Sequence, residues 1–368
     1  MTLSVNKNQI KQSFLTKFNM HQKAIDESVA EALKIATKDN LSRYGKYSEL
    51  AINAYKSVAT RGGKRLRGSL VLESYFLHGG DDANKALRLA TSIEMVHAYL
   101  LVIDDFCDKS ETRRGQLTAN KEIELYHKQN TFRGDSVHFG NSIAVNAGLI
   151  AMQITSNYLI SLDVNPETKL KLLKTLNDCL IITGHGQIND IFNEALPTVE
   201  DEMIYNVLEW KTAYYTFYNP IEMGAILAGK HINGDGRLRK YASSLGKAFQ
   251  LQDDIIGIFG DDKVTGKSNL DDIHEGKMTL LYKKAIELSS QQDKLVLVSA
   301  LGNEQADAKD LKQIRSIIYS SGALEQAQKI FDLNIKEAIN SVKKLSSSKT
   351  DSKQFLIDLA HYISERKS

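Results

Sequence analysis

Three aspartates lie close together at the end of a long apolar stretch. Asp104 and Asp105 are adjacent, and Asp108 follows four residues after Asp104. Positions four apart on a helix differ by only about 40° in direction, so Asp104 and Asp108 share one face. Carboxylates crowded in this way repel one another unless a cation joins them. Hard oxygen ligands suit Mg²⁺, which commonly bridges one or two carboxylates to substrate phosphates. A solvated helix end is the alternative for this cluster taken alone.

A second acidic pair, Asp253-Asp254, lies in similar surroundings. It follows apolar helical sequence, and the polar, glycine-punctuated segment 260–279 comes after it with Lys267 and Lys277. Two acidic pairs, each ending an apolar helix and each followed by basic residues, are difficult to explain as surface decoration. They predict a pocket with carboxylates on two walls. Such a pocket can hold several Mg²⁺ ions against a diphosphate, whose remaining oxygens meet the basic side chains.

Composition limits the class of protein. Lys and Arg number 47 against 45 Asp and Glu, without the basic excess or stripe that is typical of nucleic-acid binding. The two cysteines, Cys107 and Cys179, cannot make a disulfide framework, which fits a reducing compartment. The first residues lack the apolar region of a signal peptide, and we see no apolar run close to the roughly 18 residues that span a bilayer. We therefore expect a cytoplasmic protein that is not embedded in a membrane and binds no nucleic acid.

The elements that position these residues are predicted to be helices. Only 3 prolines occur, and the alternation typical of strands is scarce. Two or three helices are expected before residue 60, with a break at Lys38-Asp39-Asn40, and residues 109–141 are expected to form a long loop with some helix. Residues 347–351 look like a short connector before a final helix. One domain spanning 1–368 is the prediction. The other expected helices cover residues 69–78, 83–108, 142–161, 167–194, 200–229, 236–259, 280–301, 307–319, 322–346 and 352–365.

The ordered set of motifs resembles the trans-polyprenyl diphosphate synthases, the family of the farnesyl and geranylgeranyl diphosphate synthases. The similarity covers residues 58–280 well and the rest loosely. Five motifs occur in the family's order, which makes their joint specificity high, whereas a lone aspartate pair would be weak. The resemblance implies the all-α isoprenoid synthase fold, a single large helical bundle around a central cavity. It also implies a homodimer and Mg²⁺, with several ions per active site.

The resemblance assigns a role to each matching residue. Asp104, Asp105, Asp108 and Asp253 would be metal ligands. The allylic diphosphate would meet Arg113, Lys211, Lys267 and Lys277, and the catalytic set would be Asp104, Asp105, Lys211, Thr212 and Gln250. Gln250 also counts as substrate-binding, because it matches the family's Phe-Gln-x-x-Asp-Asp motif. The isopentenyl diphosphate would be held by Lys64, Arg67, His97 and Arg114.

One position departs from the family's pattern. The second aspartate motif usually ends in a third Asp, and this chain has Gly257 there. Asp253 alone can still bind a metal, so we expect weaker metal organisation rather than loss of activity.

Product length depends in this family on what lies beneath the first motif. Tyr99, five residues before Asp104, matches a position where the family often has an aromatic floor, and Leu100 lies beside it. Ideal helix rotation places Tyr99 well off the face of Asp104, so only the resemblance places it in the cavity. This arrangement is similar to that of enzymes making geranylgeranyl diphosphate, with twenty carbons. Farnesyl diphosphate, with fifteen, is the close alternative.

Two other functions stay open at this point. A helical terpenoid enzyme that cyclises or couples head to head shares an aspartate-rich motif, but it has no need of the isopentenyl site that Lys64, Arg67 and His97 would make. A non-catalytic subunit of a heteromeric synthase typically loses aspartates, and only one is missing here. The predicted reaction is the condensation of an allylic diphosphate (dimethylallyl, geranyl or farnesyl) with isopentenyl diphosphate.

Overall fold

The computed structural model describes residues 2–232, 236–261 and 268–366, and almost all of its regular structure is helical. Within these residues the strands are limited to one hairpin, made by β1 (Thr112–Arg113) and β2 (Gln116–Leu117). The prediction of an all-α fold is confirmed. The helices are α1 (Thr2–Tyr44), α2 (Lys46–Thr60), α3 (Leu66–Leu77), α4 (Ala83–Cys107), α5 (Ala119–Gln129), α6 (Ser136–Ile160), α7 (Pro166–Ala195), α8 (Asp201–Asn206), a π-helical segment (Val207–Tyr218), α9 (Asn219–Leu227), α10 (Arg237–Phe259), α11 (Asp271–Glu275), α12 (Leu280–Leu288), α13 (Gln291–Ala300), α14 (Ala308–Ser320), α15 (Ala323–Lys343) and α16 (Thr350–Ser364).

The chain forms two compact units. The first comprises Met1–Lys174 and Met223–Lys230, and the second comprises Thr175–Glu222 and His231–Ser368. In the first unit α4 is central and packs against α1, α2, α3 and α6. In the second unit α10 takes that place and packs against the π-helical segment and α15. Each unit therefore has one central helix, and each central helix carries one of the two aspartate motifs near its C-terminal end.

The first break in the chain is at Gly45 and not at the polar run Lys38-Asp39-Asn40, so that part of the prediction was wrong. The polar run continues α1 because its side chains are partly or fully exposed, and Asn40 Nδ2 donates to Ala36 O, 2.9 Å away, in the preceding turn. Gly45 has φ 76°, a left-handed conformation that glycine adopts without strain, and its N–H donates to Leu41 O.

Three further boundaries differ from the predicted ones. Residues 109–141 contain the β hairpin, α5 and the beginning of α6, which Asp135 caps through the backbone N–H groups of Val137 and His138. The segment 260–279 includes the short helix α11. The predicted helix 280–301 divides where the hydroxyl of Ser290 caps α13. At two of these boundaries the side chains of Asp135 and Ser290 satisfy helix-end N–H groups, a local effect that apolar periodicity does not report.

Two helices are long and apolar enough to cross a membrane by length and composition. They are α4, with a mean hydropathy of 1.4 over its most apolar window, and α6, with 1.3. One or two such helices are weak evidence for a membrane span, so the finding does not overturn the expectation of a protein that is not embedded in a membrane. In α4, 67% of that window is buried inside the protein, as is typical of the core helix of a soluble protein, whereas in α6 the share is 33%.

A buried ion pair in the first unit allows a prediction about stability and pH. The side chain of Glu73 is fully buried, with Lys17 Nζ at 2.7 Å and His21 Nε2 at 2.6 Å. Burial alone would raise the pKa of Glu73, but the hydrogen bond from His21 and the charge of Lys17 outweigh it and lower the pKa below its ordinary value of 4.5. The charged form therefore stabilises the fold above pH 4.5, and this contribution is lost as the pH falls through the lowered pKa.

We expect Glu73→Gln to lower the free energy of unfolding at pH 7 by about 2 kcal/mol, the usual worth of a charged hydrogen bond. The difference between wild type and variant should shrink as the pH falls below 4.5. Urea unfolding at pH 7, 5 and 4 would measure it. Glu167→Gln is the control, because Glu167 pairs with Lys171 at an exposed site and should change nothing measurable. A difference at Glu73 that does not depend on pH would contradict the prediction.

Candidate active site

One face of α4 is accessible although the helix is central to its unit. Most of its residues between Leu89 and Val102 are buried, whereas His97, Leu100 and Asp104 are partly exposed. These three positions lie three and four residues apart, which is the spacing of one helix face. The prediction that His97 lies on the same side of the helix as Asp104 agrees with this pattern.

The three aspartates of the first motif lie where α4 ends. Asp105 is fully buried, Asp108 is the residue that caps the helix, and the side chain of Asp104 is 25% exposed. The C-terminal end of a helix carries partial negative charge, so carboxylates are unfavourable there unless a cation compensates them. Arg113 supplies such a charge: its Nε donates to Asp105 Oδ1 at 2.6 Å, and its Nη2 donates to Asp104 Oδ2 at 3.2 Å.

The β hairpin positions the two arginines that follow the motif. Arg113 pairs with Gln116 across the two strands, and Arg114-Gly115 forms the turn between them. Both turn residues have positive φ, 54° and 71°, as two-residue hairpin turns of one common type require. Because Arg113 lies on a strand and Arg114 in the turn, the two side chains have different surroundings. Arg113 contacts the aspartates, and Arg114 contacts the backbone before α3, where Gly62 O accepts from its Nη1.

Gly63 of the basic motif Gly63-Lys64-Arg65-Leu66-Arg67 makes room for Arg114. Gly63 has φ 133°, and a Cβ placed on it would lie 2.7 Å from Arg114 Nη2. Burial lowers the pKa of Arg114, and the charges of Arg65 and Arg113 lower it further. Several guanidinium groups are therefore held close together, an arrangement that an anion would stabilise.

Two arginines of the basic motif have separate tasks. The side chain of Arg65 is 4% exposed and is engaged inside the fold, with Nε 2.6 Å from Asp26 Oδ1 and Nη1 3.5 Å from Glu94 Oε2. Arg67 is partly exposed at the start of α3, and its Nη1 lies 3.4 Å from His97 Nε2. Lys64 is exposed. The structure thus brings Arg67 and His97 together and gives Arg65 an internal ion pair.

His97 is held in its neutral form. Burial lowers the pKa of His97 well below its ordinary value, and the nearby charges of Arg67, Arg114 and Arg113 lower it further. A neutral imidazole can accept the N–H of Arg67 through Nε2. In that arrangement His97 orients the guanidinium of Arg67 without adding a charge of its own.

The two predicted chain-length residues lie on different sides of α4. Leu100 is partly exposed, on the accessible face with His97 and Asp104, whereas Tyr99 is only 4% exposed. The carbonyl oxygen of Tyr99 lies 4.0 Å from where a Cβ on Gly148 of α6 would be. Tyr99 is therefore packed inside the first unit, as the ideal helix rotation predicted.

In the second unit the predicted Lys211 and Thr212 lie in the π-helical segment. Two glycines allow neighbouring helices to approach this segment closely. A Cβ on Gly186 of α7 would collide with the backbone of Lys211, and one on Gly246 of α10 would collide with Ala213. Wide π turns are rare and occur mostly at functional sites. Lys211 Nζ lies 2.6 Å from Asp190 Oδ2 on α7, a pairing that the sequence did not show.

A chain of hydrogen bonds fixes Gln250. Thr212 Oγ1 donates to Gln250 Oε1 at 2.7 Å, and Gln250 Nε2 donates to Asp254 Oδ1 at 2.9 Å. Asp254 is buried, while Asp253 beside it remains 34% exposed on its side chain. The structure thus brings Thr212 and Gln250 together, and it makes Asp254 an inner and Asp253 an outer aspartate.

Asp253, the outer aspartate, already forms an ion pair with an arginine of the protein. Arg366 Nη1 lies 2.6 Å from Asp253 Oδ1, and its guanidinium is 4.8 Å from the centre of the Phe249 ring. Gln252 Nε2 also donates to Arg366 O. The signal for this contact in the sequence was faint, a basic residue near the end of the chain. Of the other predicted residues, Lys277 Nζ lies 2.6 Å from Glu275 Oε2, and Lys267 is outside the described residues.

The donor atoms fit Mg²⁺. Both motifs offer carboxylate oxygens only, and in both the structure places a guanidinium against them, at Asp104 and at Asp253. Within the residues that the structure describes, no group of three or more His, Cys, Asp or Glu side chains could hold a metal ion by itself. Mg²⁺ characteristically takes one or two protein carboxylates, with substrate phosphates and water as its other ligands.

The chain is similar to known proteins over most of its length. The family model described as polyprenyl synthetase matches residues 48–318. A geranylgeranyl diphosphate synthase of Saccharolobus solfataricus is 32% identical over 316 residues, covering 84% of this chain and 88% of the relative. A geranylfarnesyl diphosphate synthase of Aeropyrum pernix is 30% identical over 306 residues, covering 83% and 91%.

A solved structure agrees with these relatives. The geranylgeranyl pyrophosphate synthase of Corynebacterium glutamicum, crystallised with isoprenyl diphosphate and magnesium, matches with a TM-score of 0.88 and 27% identity. The match covers 94% of this chain and 99% of that one. The resemblance that the motifs indicated is confirmed over most of the chain. The chain belongs to the polyprenyl synthetase family of trans-prenyltransferases.

Proposed function

We propose that this enzyme condenses an allylic diphosphate with isopentenyl diphosphate and releases a short-chain all-trans prenyl diphosphate. The product that we propose is geranylgeranyl diphosphate. The observation that carries the proposal is the grouping in the first unit of Asp104 and Asp105 with Arg113, and of Arg67 with His97. The group with Asp104 and Asp105 suits a diphosphate that is bound through metal ions. The group of Arg67 and His97 suits a diphosphate that is bound by side chains of the protein without a metal. A prenyl transferase that joins two diphosphates needs both kinds of site.

The isopentenyl diphosphate is proposed to bind Lys64, Arg67, His97 and Arg114. The guanidinium groups are held by their own contacts before the substrate arrives, Arg67 by His97 and Arg114 by Gly62 O. Neutral His97 lets Arg67 keep its full charge for the phosphate oxygens. Preformed cations do not have to be reorganised on binding, which favours affinity.

The allylic diphosphate is proposed to bind Arg113, Lys211, Lys267 and Lys277, with Mg²⁺ held by Asp104, Asp105, Asp108 and Asp253. Several divalent cations at these carboxylates would neutralise the negative charge that grows on the departing diphosphate. In the free enzyme the aspartates are partly neutralised by Arg113 and Arg366. Mg²⁺ at these carboxylates would therefore compete with Arg113 and Arg366 for the same negative charge.

The reaction follows in three steps. The bond between the allylic carbon and the diphosphate oxygen breaks, and the oxygen keeps the electron pair. The double bond of isopentenyl diphosphate, held in place by Arg67 and Arg114, then forms the new carbon–carbon bond to the allylic cation. Positioning both substrates removes a large entropic barrier. Loss of a proton to the released diphosphate restores a double bond. Thr212 and Gln250, fixed by the bond to Asp254, offer oxygen dipoles that would stabilise the allylic cation.

Release of pyrophosphate from a mixture of farnesyl and isopentenyl diphosphates with Mg²⁺ tests the proposal. We expect release only when both substrates are present, with a prenyl product of one more isoprene unit. A non-catalytic subunit of a heteromeric synthase would release nothing by itself. Release from the allylic substrate alone would indicate a cyclising enzyme instead. Parallel assays with dimethylallyl and geranyl diphosphates identify the preferred primer and separate a farnesyl from a geranylgeranyl diphosphate synthase.

Product length gives a prediction with two variants. We expect Tyr99→Ala to lengthen the main product by at least one isoprene unit, because it removes the proposed aromatic floor. Leu100→Phe should shorten it, because Leu100 lies on the accessible face of α4 with Asp104. Chromatography of the products after incubation with each primer measures both. If Leu100→Phe changes the product and Tyr99→Ala does not, Leu100 is the floor, and the assignment of Tyr99 is wrong.

We propose that the protein is a homodimer in the cytoplasm and that 1–368 acts as one synthase domain. The dimer is supported by an apolar face on α7, where Ile181, Ile188 and Phe192 are 61%, 49% and 55% exposed. Their spacing of seven and four residues places them on one side of the helix.

Light scattering after gel filtration should give twice the chain mass. Ile188→Glu should shift it towards the monomer, whereas a dimer that tolerates this change would contradict the assignment of the face.

A further inference from the structure

At Gly257, where the second aspartate motif lacks its third aspartate, the structure places the carboxylate of Asp272. Gly257 lies four residues after Asp253 on α10, so a side chain there would point to the same side as Asp253. Apart from the chain neighbours of Gly257 and the backbone of α10 itself, only two atoms of the described residues lie within 4 Å of where a Cβ on Gly257 would be. Both belong to Asp272: its Oδ2 would collide with that Cβ, and its Cγ lies 3.4 Å away. A carboxylate thus stands where the missing side chain would begin.

The segment that carries Asp272 is anchored on the end of α10. Asn269 is 4% exposed, and its Nδ2 donates to Gly257 O at 2.7 Å and to Ile256 O at 3.3 Å. Both carbonyls belong to the last turn of α10, where intrahelical donors run out, and Ile256 O also accepts the N–H of Gly260 at 2.7 Å. Asn269 therefore both caps α10 and fixes the backbone three residues before Asp272.

The other side of Asp272 is fixed as well. Ile273 is fully buried, and its carbonyl accepts the N–H of Gly302 at 2.8 Å. His274 Nε2 contacts Ala306 O at 2.9 Å, which ties α11 to the segment before α14. With its neighbours held on both sides, the backbone of Asp272 is fixed beside the end of α10, and its side chain is partly exposed there.

The carboxylates near the end of α10 indicate what Asp272 does. Its Oδ2 stands at Gly257, one helical turn after Asp253 and on the same side of α10. Carboxylates placed this close together repel one another. Arg366 on Asp253 shows that the same place already attracts a cation. Carboxylates that repel one another in this way are stabilised together by a divalent ion.

We propose that Asp272 supplies the carboxylate that the second aspartate motif lacks at Gly257, and that it serves with Asp253 as a ligand of one Mg²⁺, directly or through a bound water. The inference rests on the proposed function, because it assigns Asp272 to the metal of the diphosphate site. It offers an alternative to the expectation from sequence that Gly257 leaves the metal less well organised. Asp272, fifteen residues after Gly257 in the chain, would thus provide the carboxylate that this face of α10 lacks.

The test is calorimetric binding of inorganic pyrophosphate in the presence of Mg²⁺, which needs no turnover. We expect Asp272→Ala to weaken this binding by about 10-fold or more, as loss of a group that positions or hydrates a metal usually does. Asp271→Asn is the matched control: it removes the adjacent carboxylate of the same short helix and should bind like the wild type. Without Mg²⁺, wild type and Asp272→Ala should bind pyrophosphate alike.

Moving the carboxylate from position 272 to position 257 tests the assignment of Asp272 more directly. Gly257→Asp alone should not improve binding, because its side chain would meet Asp272. Gly257→Asp combined with Asp272→Ala should restore most of the affinity that Asp272→Ala loses, since the shorter alanine side chain leaves the space open. If Asp272→Ala binds pyrophosphate and Mg²⁺ like the wild type, the inference is wrong. Product formation by the wild type, measured separately, shows whether the proposed function itself stands, and circular dichroism shows that each variant is folded.

Discussion

Asp104→Ala is expected to lower kcat by about 10³-fold, the loss that follows removal of one preorganised electrostatic group from a site of charge development. Asp104 is the most accessible carboxylate of the first motif, and its contact with Arg113 is the longer of the two that this arginine makes, at 3.2 Å. It is therefore available to a metal. The measurement is the steady-state release of pyrophosphate with both substrates saturating.

The same change should leave the fold intact. Asp104 lies in the last turn of α4, where a carboxylate opposes the helix dipole, so its removal does not destabilise the helix. The stronger contact of Arg113, with Asp105 at 2.6 Å, remains. Glu111→Ala is the matched control, since it removes a carboxylate from the neighbouring loop whose side chain is 79% exposed. An Asp104→Ala enzyme with near-normal turnover would refute the metal-binding role, and an unfolded one would show that Asp104 is structural.

The sequence predicted what depends on local periodicity and on motif spacing. The central helices α4 and α10 were found within a residue or two at each end, because their apolar stretches are long. The shared face of His97 and Asp104 followed from the rotation per residue alone. The family resemblance placed Thr212 and Gln250 in one catalytic set without predicting a contact, and the structure shows a hydrogen bond between them.

What the sequence did not show are contacts between residues far apart in the chain. Asp272 against Gly257, Arg366 on Asp253 and Lys211 on Asp190 depend on how helices pack, and no spacing rule reports them. The π-helical segment was also missed. Its residues fit an ordinary helix, and the wide turns coincide with the close approach of Gly186 and Gly246, which only the packed structure reveals.

The basic motif contains two arginines of identical chemistry, and the structure separates their effects. Arg65→Met is expected to lower the free energy of unfolding by about 3 kcal/mol or more, the usual cost of removing one partner from a buried ion pair. Methionine keeps the apolar stem but leaves Glu94, which is 2% exposed, without the guanidinium 3.5 Å away. Asp26 at 2.6 Å and the carbonyl of Ala59 at 2.7 Å lose the same group.

Arg67→Met is the matched comparison, because it makes the same chemical change two residues away. Arg67 is partly exposed and contacts His97, so its loss should leave the unfolding free energy within about 0.5 kcal/mol of the wild type, as for most changes outside buried networks. The KM for isopentenyl diphosphate should rise by about 10- to 100-fold, as expected for the loss of a charged hydrogen bond to a phosphate, while that for the allylic substrate changes little. Urea unfolding and substrate titrations on both variants separate the two roles. If Arg67→Met is the unstable variant, or if Arg65→Met is stable and loses isopentenyl affinity instead, the division of the motif into a structural and a binding arginine is wrong.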